Sequence, residues 1–161
     1  MGNYVHGNEP SHHVAYLYAW TSQPWKGQSR LHEIMRRMYL NKPDGLCGND
    51  DCGQMSAWYV FSVMGFYPVC PGSDQYVIGS PYAREVVLDL ENGRTFTVRA
   101  PKVSAKNVYV SAVKLNGKPY DKAYITHDDI MNGGTLEFEM SPRPNTKRIF
   151  DSGQKPYSLT K

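Results

Sequence analysis

DGLCGNDDCGQMSAW, residues 44–58, is a glycine-punctuated loop with two adjacent aspartates that runs directly into an apolar helical pattern. Asp50 or Asp51 can cap the N-terminus of that helix, because a carboxylate oxygen can accept a hydrogen bond from an unpaired first-turn amide. Only one of the two can take this place. The other must face solvent, a cation or a ligand, so the pair indicates a functional loop as well as a helix start.

Hydrophobic periodicity predicts three helices in the first half of the chain, at residues 12–22, 24–40 and 53–64. Ser11 is placed to cap the first of them, and Gly65 is placed to end the third. The three amphipathic segments carry many aromatic side chains and would make a poor closed core by themselves. We therefore expect them to be the end of a larger helical domain.

The pattern changes after Phe66 to short runs of alternating apolar and polar residues, which are typical of half-buried strands. Asn92-Gly93 and Asn116-Gly117 are hairpin signals, since both central residues of a type I′ turn need a positive φ. The sequence thus predicts an α+β chain whose second half is a small antiparallel sheet or sandwich. The predicted strands are residues 76–78, 85–90, 95–99, 108–115, 120–126 and 135–140.

These patterns divide the chain into three expected parts. Residues 1–66 form the helical part, and residues 67–145 form the antiparallel β region. Residues 146–161 are polar and proline-containing, so we expect a loosely ordered tail.

Composition excludes several classes of protein. The 161 residues carry a net charge of +3 without a basic cluster, which argues against a nucleic-acid partner. No apolar run reaches the roughly 18 residues that a membrane span needs, and the first residues do not resemble a signal peptide. Cys47, Cys52 and Cys70 have the spacing of neither a disulfide framework nor a zinc site.

A second acidic motif precedes the first predicted helix. Asn8 and Glu9 place an amide oxygen and a carboxylate side by side, and calcium selects such hard oxygen ligands. The simpler interpretation of Glu9 is an exposed first-turn glutamate, which the helix dipole favours. A third acidic stretch, His127-Asp128-Asp129, is interpreted as a solvated turn between strands rather than as a second metal site.

Several motifs, in the same order, resemble the C-terminal part of the glycoside hydrolase family 92 alpha-mannosidases. The resemblance implies a calcium-dependent exo-acting enzyme that hydrolyses alpha-mannosides with inversion. It also implies that residues 1–66 are the last helices of an (α/α)6 barrel followed by β-sandwich structure. The matching motifs are GNEPSHH at 7–13, QPW at 23–25, DGL at 44–46, GNDD at 48–51, GQMSAW at 53–58, GFYPV at 65–69 and YVIGSP at 76–81.

The resemblance assigns roles to individual residues. It makes Asp50 and Asp51 the general-base side of the site, with Asp51 favoured as the base. It assigns Asn8 and Glu9 to calcium or to the bound mannose. It further implies that three residues contact the sugar, namely Asn49, His12 and Trp58.

No third acidic motif resembles the general acid, which in the family lies upstream of the Gly-Asn-Glu-Pro motif. We therefore expect the isolated chain to be inactive or nearly so. Two alternatives stay open: a carbohydrate-binding or accessory module built on the strands, and a fragment without activity that self-associates or pairs with an N-terminal partner. The family further implies an extracellular or periplasmic location.

Overall fold

The computed structural model describes residues 3–159, and the predicted α+β class is confirmed. Two 3-10 helices, Glu9–Ser11 and Val14–Trp20, come first. The α-helices are α1 (Pro24–Met38), α2 (Gln54–Met64) and α3 (His127–Met131). The strands are β1 (Phe66–Tyr67), β2 (Gln75–Ile78), β3 (Glu85–Asp89), β4 (Thr95–Arg99), β5 (Tyr109–Leu115), β6 (Lys118–Pro119), β7 (Tyr124–Thr126) and β8 (Gly134–Ser141). Within residues 3–159 no helix is long and apolar enough to cross a membrane.

The predicted α-helix at residues 12–22 is wrong, because this segment winds as 3-10 turns. The carbonyl oxygen of His12 accepts a hydrogen bond of 2.9 Å from the indole nitrogen of Trp58. The amide of Tyr16 instead donates to the carbonyl three residues before it, at 2.9 Å. Ser11 lies inside the first 3-10 turn and caps no α-helix. A tertiary contact has here displaced the local helical pattern.

The other two helices lie where the sequence predicts them. α1 begins at Pro24 as expected and ends two residues early, since Tyr39 leaves the helix to form a bridge with Leu46. α2 is flanked by Gly53 and Gly65, whose φ angles are 93° and 95°. Glycine reaches this left-handed region without steric cost, so the predicted stop at Gly65 is confirmed.

Two sheets make up the second half. β1, β2 and β7 pair antiparallel in that order, and the other strands form a sheet in the order β3-β4-β8-β5-β6. β8 lies between β4 and β5, parallel to the first and antiparallel to the second. The larger sheet is therefore mixed, where a purely antiparallel one was predicted, because the long connection from β4 to β8 leaves room for a crossover. The hairpin at Asn116-Gly117 is confirmed, with φ angles of 52° and 76°.

The acidic stretch that was predicted as a solvated turn begins α3. Thr126 caps this helix: its hydroxyl accepts from the Asp129 amide at 3.1 Å, and the Asp129 carboxylate accepts from the Thr126 amide at 2.8 Å. The Tyr120 hydroxyl also donates to Asp129, at 3.2 Å. This carboxylate is therefore used by the fold, while His127 and Asp128 are exposed.

The segment after residue 145 packs against the rest of the chain, although a loosely ordered tail was expected. Phe150 is buried in the core, and the guanidinium of Arg148 lies 5.3 Å from its ring centre. The amide of Ala123 donates to the carbonyl of Gln154 at 2.8 Å. One aromatic anchor in a polar stretch was too little signal to predict this packing.

The core has two clusters of buried side chains, and Phe61 packs against both. One cluster fills the space around the larger sheet. The other lies beneath the N-terminal loops and the start of α2. Its largest members are Tyr16, Leu31, Ile34, Met35, Trp58, Tyr67 and Phe150.

A layer of hydrogen-bonded rings covers this second cluster. The Tyr39 hydroxyl donates to the Met55 carbonyl at 3.0 Å, so it accepts from Nε2 of His6 at 2.7 Å. Nδ1 of His6 then accepts from the Tyr4 hydroxyl at 2.8 Å. The His6 ring packs edge-on against Trp58, with 4.3 Å between ring centres. His6 is thus held neutral in one orientation, directly under the N-terminal loops.

Two buried histidines predict how stability depends on pH. Burial lowers the pKa of His6 to about 4, with a smaller contribution from His12, and burial also lowers the pKa of His32 to about 4. In the unfolded chain both imidazoles take up a proton near pH 6.5, about where free histidine titrates. The free energy of unfolding should therefore be highest above about pH 6.5 and fall toward pH 4, by on the order of 2 kcal/mol for each histidine.

Urea unfolding at about pH 7.5, 6 and 5 measures this loss. His6→Gln should remove about half of the pH dependence, because one of the two shifted groups is then absent. His127→Gln is the matched control, since His127 is exposed and should leave the dependence in place. An unfolding free energy that stays constant over this range would contradict the prediction.

Candidate active site

A tight turn positions the acidic loop. The amide of Leu40 donates to the carbonyl of Gly45 at 2.9 Å, and the amide of Gly45 donates to the carbonyl of Lys42 at 3.0 Å. A Cβ at Gly45 would clash with the carbonyl oxygen of Leu40, so this position accepts no larger residue without a backbone shift. The loop therefore leaves α1 in a fixed direction and returns toward the start of α2.

The two aspartates have separate places, as the sequence predicted. Asp50 accepts from the Ser56 amide at 2.8 Å with one carboxylate oxygen, and from the Ser56 hydroxyl at 2.9 Å with the other. Ser56 is the third residue of α2, so Asp50 supplies the capping contact that the formal cap, Gly53, cannot. Asp51 is exposed, and its side chain does not cap the helix.

Asp51 stands on an unusual stretch of backbone. Its φ angle is 44°, and Cys52 and Gly53 follow at 58° and 93°. Three successive residues in the left-handed region are uncommon, and two of them carry side chains. Such conformations cluster at functional sites, where the surrounding structure holds the chain in place. Here they carry the chain from Asp50 to the start of α2 at Gln54.

The carboxyl groups of Asp51 and Glu9 lie close enough for each to shift the pKa of the other. Hydrogen bonding with Glu9 raises the pKa of Asp51, and the negative charge of Glu9 raises it further. The same hydrogen bond lowers the pKa of Glu9. Two bare negative charges repel, so a proton or a cation between these carboxyl groups would stabilise their approach. The two acidic motifs, 42 positions apart, thus form one site.

A contact between two glycines brings the motifs together. A Cβ on Gly7 would lie 2.7 Å from the carbonyl oxygen of Cys47, and a Cβ on Gly48 would lie 2.6 Å from the carbonyl oxygen of Gly7. Both distances are shorter than real Cβ contacts, so neither position has room for a side chain. The loop of Glu9 therefore lies directly on the loop of Asp51, backbone against backbone.

The remaining predicted site residues divide by burial. Asn8 and Asn49 are exposed beside the carboxyl pair in sequence. His12 is 2% exposed and Trp58 is 0% exposed, so neither side chain offers surface to a sugar in this structure. We place both beneath the site, in support of its loops.

The chemistry of the donor set fits a hard cation in part. Two paired carboxyl groups and the amide of Asn8 are oxygen donors of the type that calcium binds, but calcium takes six to eight oxygens. Among residues 3–159 no group of three or more histidine, cysteine, aspartate or glutamate residues could hold a metal ion. Glu9, Asp51 and Asn8 could therefore supply only a minority of the ligands.

The acidic groups stand on an open surface. Clefts of about 470 and 480 Å³ flank α1, and neither is lined by Glu9, Asp50 or Asp51. The acidic groups therefore lie outside both of these clefts.

Sequence reasoning missed the residues that connect the site to the core. Gln54, the first residue of α2, donates to Nδ1 of His12 at 3.2 Å and to the Tyr67 hydroxyl at 3.0 Å. His6 and Tyr39 join across 33 positions. No local spacing in the sequence links such partners.

Known proteins resemble this chain closely. A GH92 alpha-mannosidase of Bacteroides thetaiotaomicron, solved in complex with mannoimidazole, is 51% identical with a TM-score of 0.94, and the match covers 98% of this chain and 21% of that one. A GH92 inverting mannosidase of the same organism is 45% identical with a TM-score of 0.93, covering 100% of this chain and 22% of that one. An uncharacterized secreted glycosidase of Arthroderma benhamiae is 36% identical over 137 residues, which are 83% of this chain and 18% of the relative.

The chain spans about a fifth of the length of these relatives. The profile of the glycosyl hydrolase family 92 catalytic domain matches residues 1–142. The resemblance that the motifs indicated is confirmed. This chain belongs to glycosyl hydrolase family 92, a family of glycoside hydrolases with alpha-mannosidase members.

Proposed function

We propose that this chain supplies the general-base side of the active site of a calcium-dependent, inverting exo-alpha-mannosidase, which removes terminal alpha-mannosides from glycans. The observation that carries the proposal is the exposed Asp51 carboxyl, which does not cap α2 as Asp50 does and whose loop lies backbone against backbone on the loop of Glu9. The mannoimidazole complex of one relative and the inverting mechanism named for another support the substrate class and the stereochemistry.

Inversion needs one carboxylic acid and one carboxylate on opposite faces of the sugar. We assign the carboxylate to Asp51: it takes a proton from a water molecule whose oxygen bonds to the anomeric carbon as the glycosidic bond breaks. Asp50 holds the loop by its two contacts with Ser56. The leaving oxygen takes its proton from an acid that we place in the part of the longer relatives that this chain does not match.

Glu9 and Asn8 are proposed to hold calcium together with oxygens from elsewhere. A bound calcium ion would supply a hard cation for the vicinal hydroxyls of the mannose. Asn49, exposed beside the aspartates, is proposed to contact the sugar. The secreted relative supports an extracellular or periplasmic location.

The first prediction concerns the base. In a chimaera that carries this chain in place of the matching segment of the Bacteroides thetaiotaomicron mannosidase, Asp51→Asn should lower kcat about 10²–10⁴-fold, since an amide cannot take the proton. The assay follows mannose release from an alpha-mannoside, and NMR should detect the beta anomer first. Asp44→Asn is the control, because Asp44 lies in the same loop with its side chain 82% exposed.

The 161-residue chain alone should hydrolyse no mannoside. Two outcomes would contradict the proposal: a full rate for Asp51→Asn, or a folded chimaera that is inactive with the native Asp51. Calcium-independent glycan binding without hydrolysis would favour an accessory module instead.

The second prediction separates Asp50 from Asp51. Asp50→Ala should lower the free energy of unfolding by about 0.5–2 kcal/mol, the usual cost of losing a helix cap. Asp51→Asn should not lower it, because asparagine adopts the left-handed backbone of this position as readily as aspartate does and no cap is removed. Urea unfolding measures both free energies. An equal loss of unfolding free energy in the two variants would show that Asp50 does not stabilise α2 as a cap.

The third prediction concerns calcium. Glu9→Gln should raise the calcium Kd of the chimaera about tenfold or more, as removal of a charged ligand weakens the site at least as much as removal of an outer partner. Calorimetric titration measures the Kd, and Glu91→Gln controls for the loss of an exposed carboxylate. Unchanged binding in Glu9→Gln would remove Glu9 from the calcium site.

A further inference from the structure

His12 makes hydrogen bonds through all of its polar groups. Its amide donates to the carbonyl of Glu9 at 2.9 Å. Its Nε2 lies 2.9 Å from the carbonyl oxygen of His6, and its Nδ1 lies 3.2 Å from the side-chain nitrogen of Gln54. Its own carbonyl accepts from the indole of Trp58 at 2.9 Å. One residue thus joins the N-terminal loop to two places on α2.

These partners fix the tautomer of the ring. A carbonyl oxygen can only accept, so Nε2 carries a proton that points to His6. The side-chain nitrogen of Gln54 can only donate, so Nδ1 is an acceptor. The second hydrogen of that amide group goes to the Tyr67 hydroxyl at 3.0 Å, which orients Gln54 in turn. The imidazole has no spare group for a ligand.

The hydrogen bonds of His12 reach both the loop that carries Glu9 and the start of α2, next to Asp51. His6 and Glu9, both bonded to His12, flank the Gly7-Asn8 part of the first acidic motif. Gln54 lies three positions after Asp51, and its own amide donates to the carbonyl of Asp51 at 3.2 Å. A shift of the His12 ring would therefore move Glu9 relative to Asp51.

We propose that His12 is a positioning residue, which fixes the loop of Glu9 against the start of α2 so that the Glu9 and Asp51 carboxyl groups face each other. This inference rests on the proposed function for its role in catalysis, although the bonds themselves are independent of it. His12 acts from below the site and touches no sugar, since it is 2% exposed.

The control for burial is His32. It is also a buried histidine, 7% exposed. It lies on α1, and its Nε2 is hydrogen-bonded to the Ser80 hydroxyl at 3.0 Å. His32→Ala should lower stability by a similar mechanism, with loss of a buried ring and a hydrogen bond. It has no bond to either acidic loop, so it separates a general loss of stability from a loss of position.

The first test is hydrogen exchange in the 161-residue chain without calcium or sugar. The amides of Gln54, Met55 and Ser56 all donate to Asp50 or Asp51. His12→Ala should accelerate their exchange at least about tenfold more than His32→Ala does, after correction for global stability. Equal acceleration in the two variants would overturn the proposal. If His12→Ala does not fold, Gln54→Leu removes the same hydrogen bond from the other side, and the exchange rates of the Met55 and Ser56 amides are measured instead.

The second test uses kinetics of the chimaera. His12→Ala should lower kcat at least about tenfold, which corresponds to about 1.4 kcal/mol of lost positioning, with a smaller change in KM. His12→Asn retains an acceptor for Gln54 and should recover part of kcat. A kcat equal to that of His32→Ala would overturn the role in catalysis.

The two tests separate the failure of this inference from the failure of the proposed function. Without hydrolysis by the native chimaera, the proposed function fails, and the exchange experiment still decides whether His12 joins the loops. With hydrolysis by the native chimaera and no selective effect of His12→Ala, the proposed function stands and the positioning role is rejected.

Discussion

Two peptide backbones touch at Gly7 and Gly48 without a side chain between them, and the acidic site depends on this contact. Each glycine would place a Cβ within 2.7 Å of a carbonyl oxygen of the other loop. A methyl group at either position would clash with the facing backbone and push apart the two loops that carry Glu9 and Asp51. The absence of side chains at these two positions is therefore a requirement of the site geometry, and not a sign of flexible loops.

The start of α2 imposes the second constraint. A helix leaves its first amides unpaired, and here the Asp50 carboxylate satisfies one of them from outside the helix. The chain must therefore cross from Asp50 to Gln54 in a short space, which it does through left-handed residues. The conformation that presents Asp51 is thus a consequence of how the helix begins. Two neighbouring identical residues thus have different surroundings: Asp50 caps α2, and Asp51 is exposed.

Local features of the fold followed from the sequence, and non-local ones did not. The capping of α2 by one aspartate of the pair, the stop at Gly65 and the turn at Asn116-Gly117 each depend on a few adjacent residues, and the structure confirms them. The segment at 12–22 failed because Trp58, far along the chain, takes a carbonyl oxygen from the helical pattern. The site motifs were found by resemblance, whereas the buried bonds of His6 and Gln54 have no periodic or compositional signature.

The larger sheet has one strand that joins two otherwise separate pairs. β3 pairs with β4, β5 pairs with β6, and only β8 connects these pairs. During synthesis the ribosome releases all four of those strands before it releases β8, which begins at Gly134. Until then each pair exposes an unpaired edge and an apolar face, and two-stranded units are at best marginally stable in water. The larger sheet can therefore be completed only after β8 has been synthesised, and until then the open edges of the two strand pairs are available for pairing with other chains.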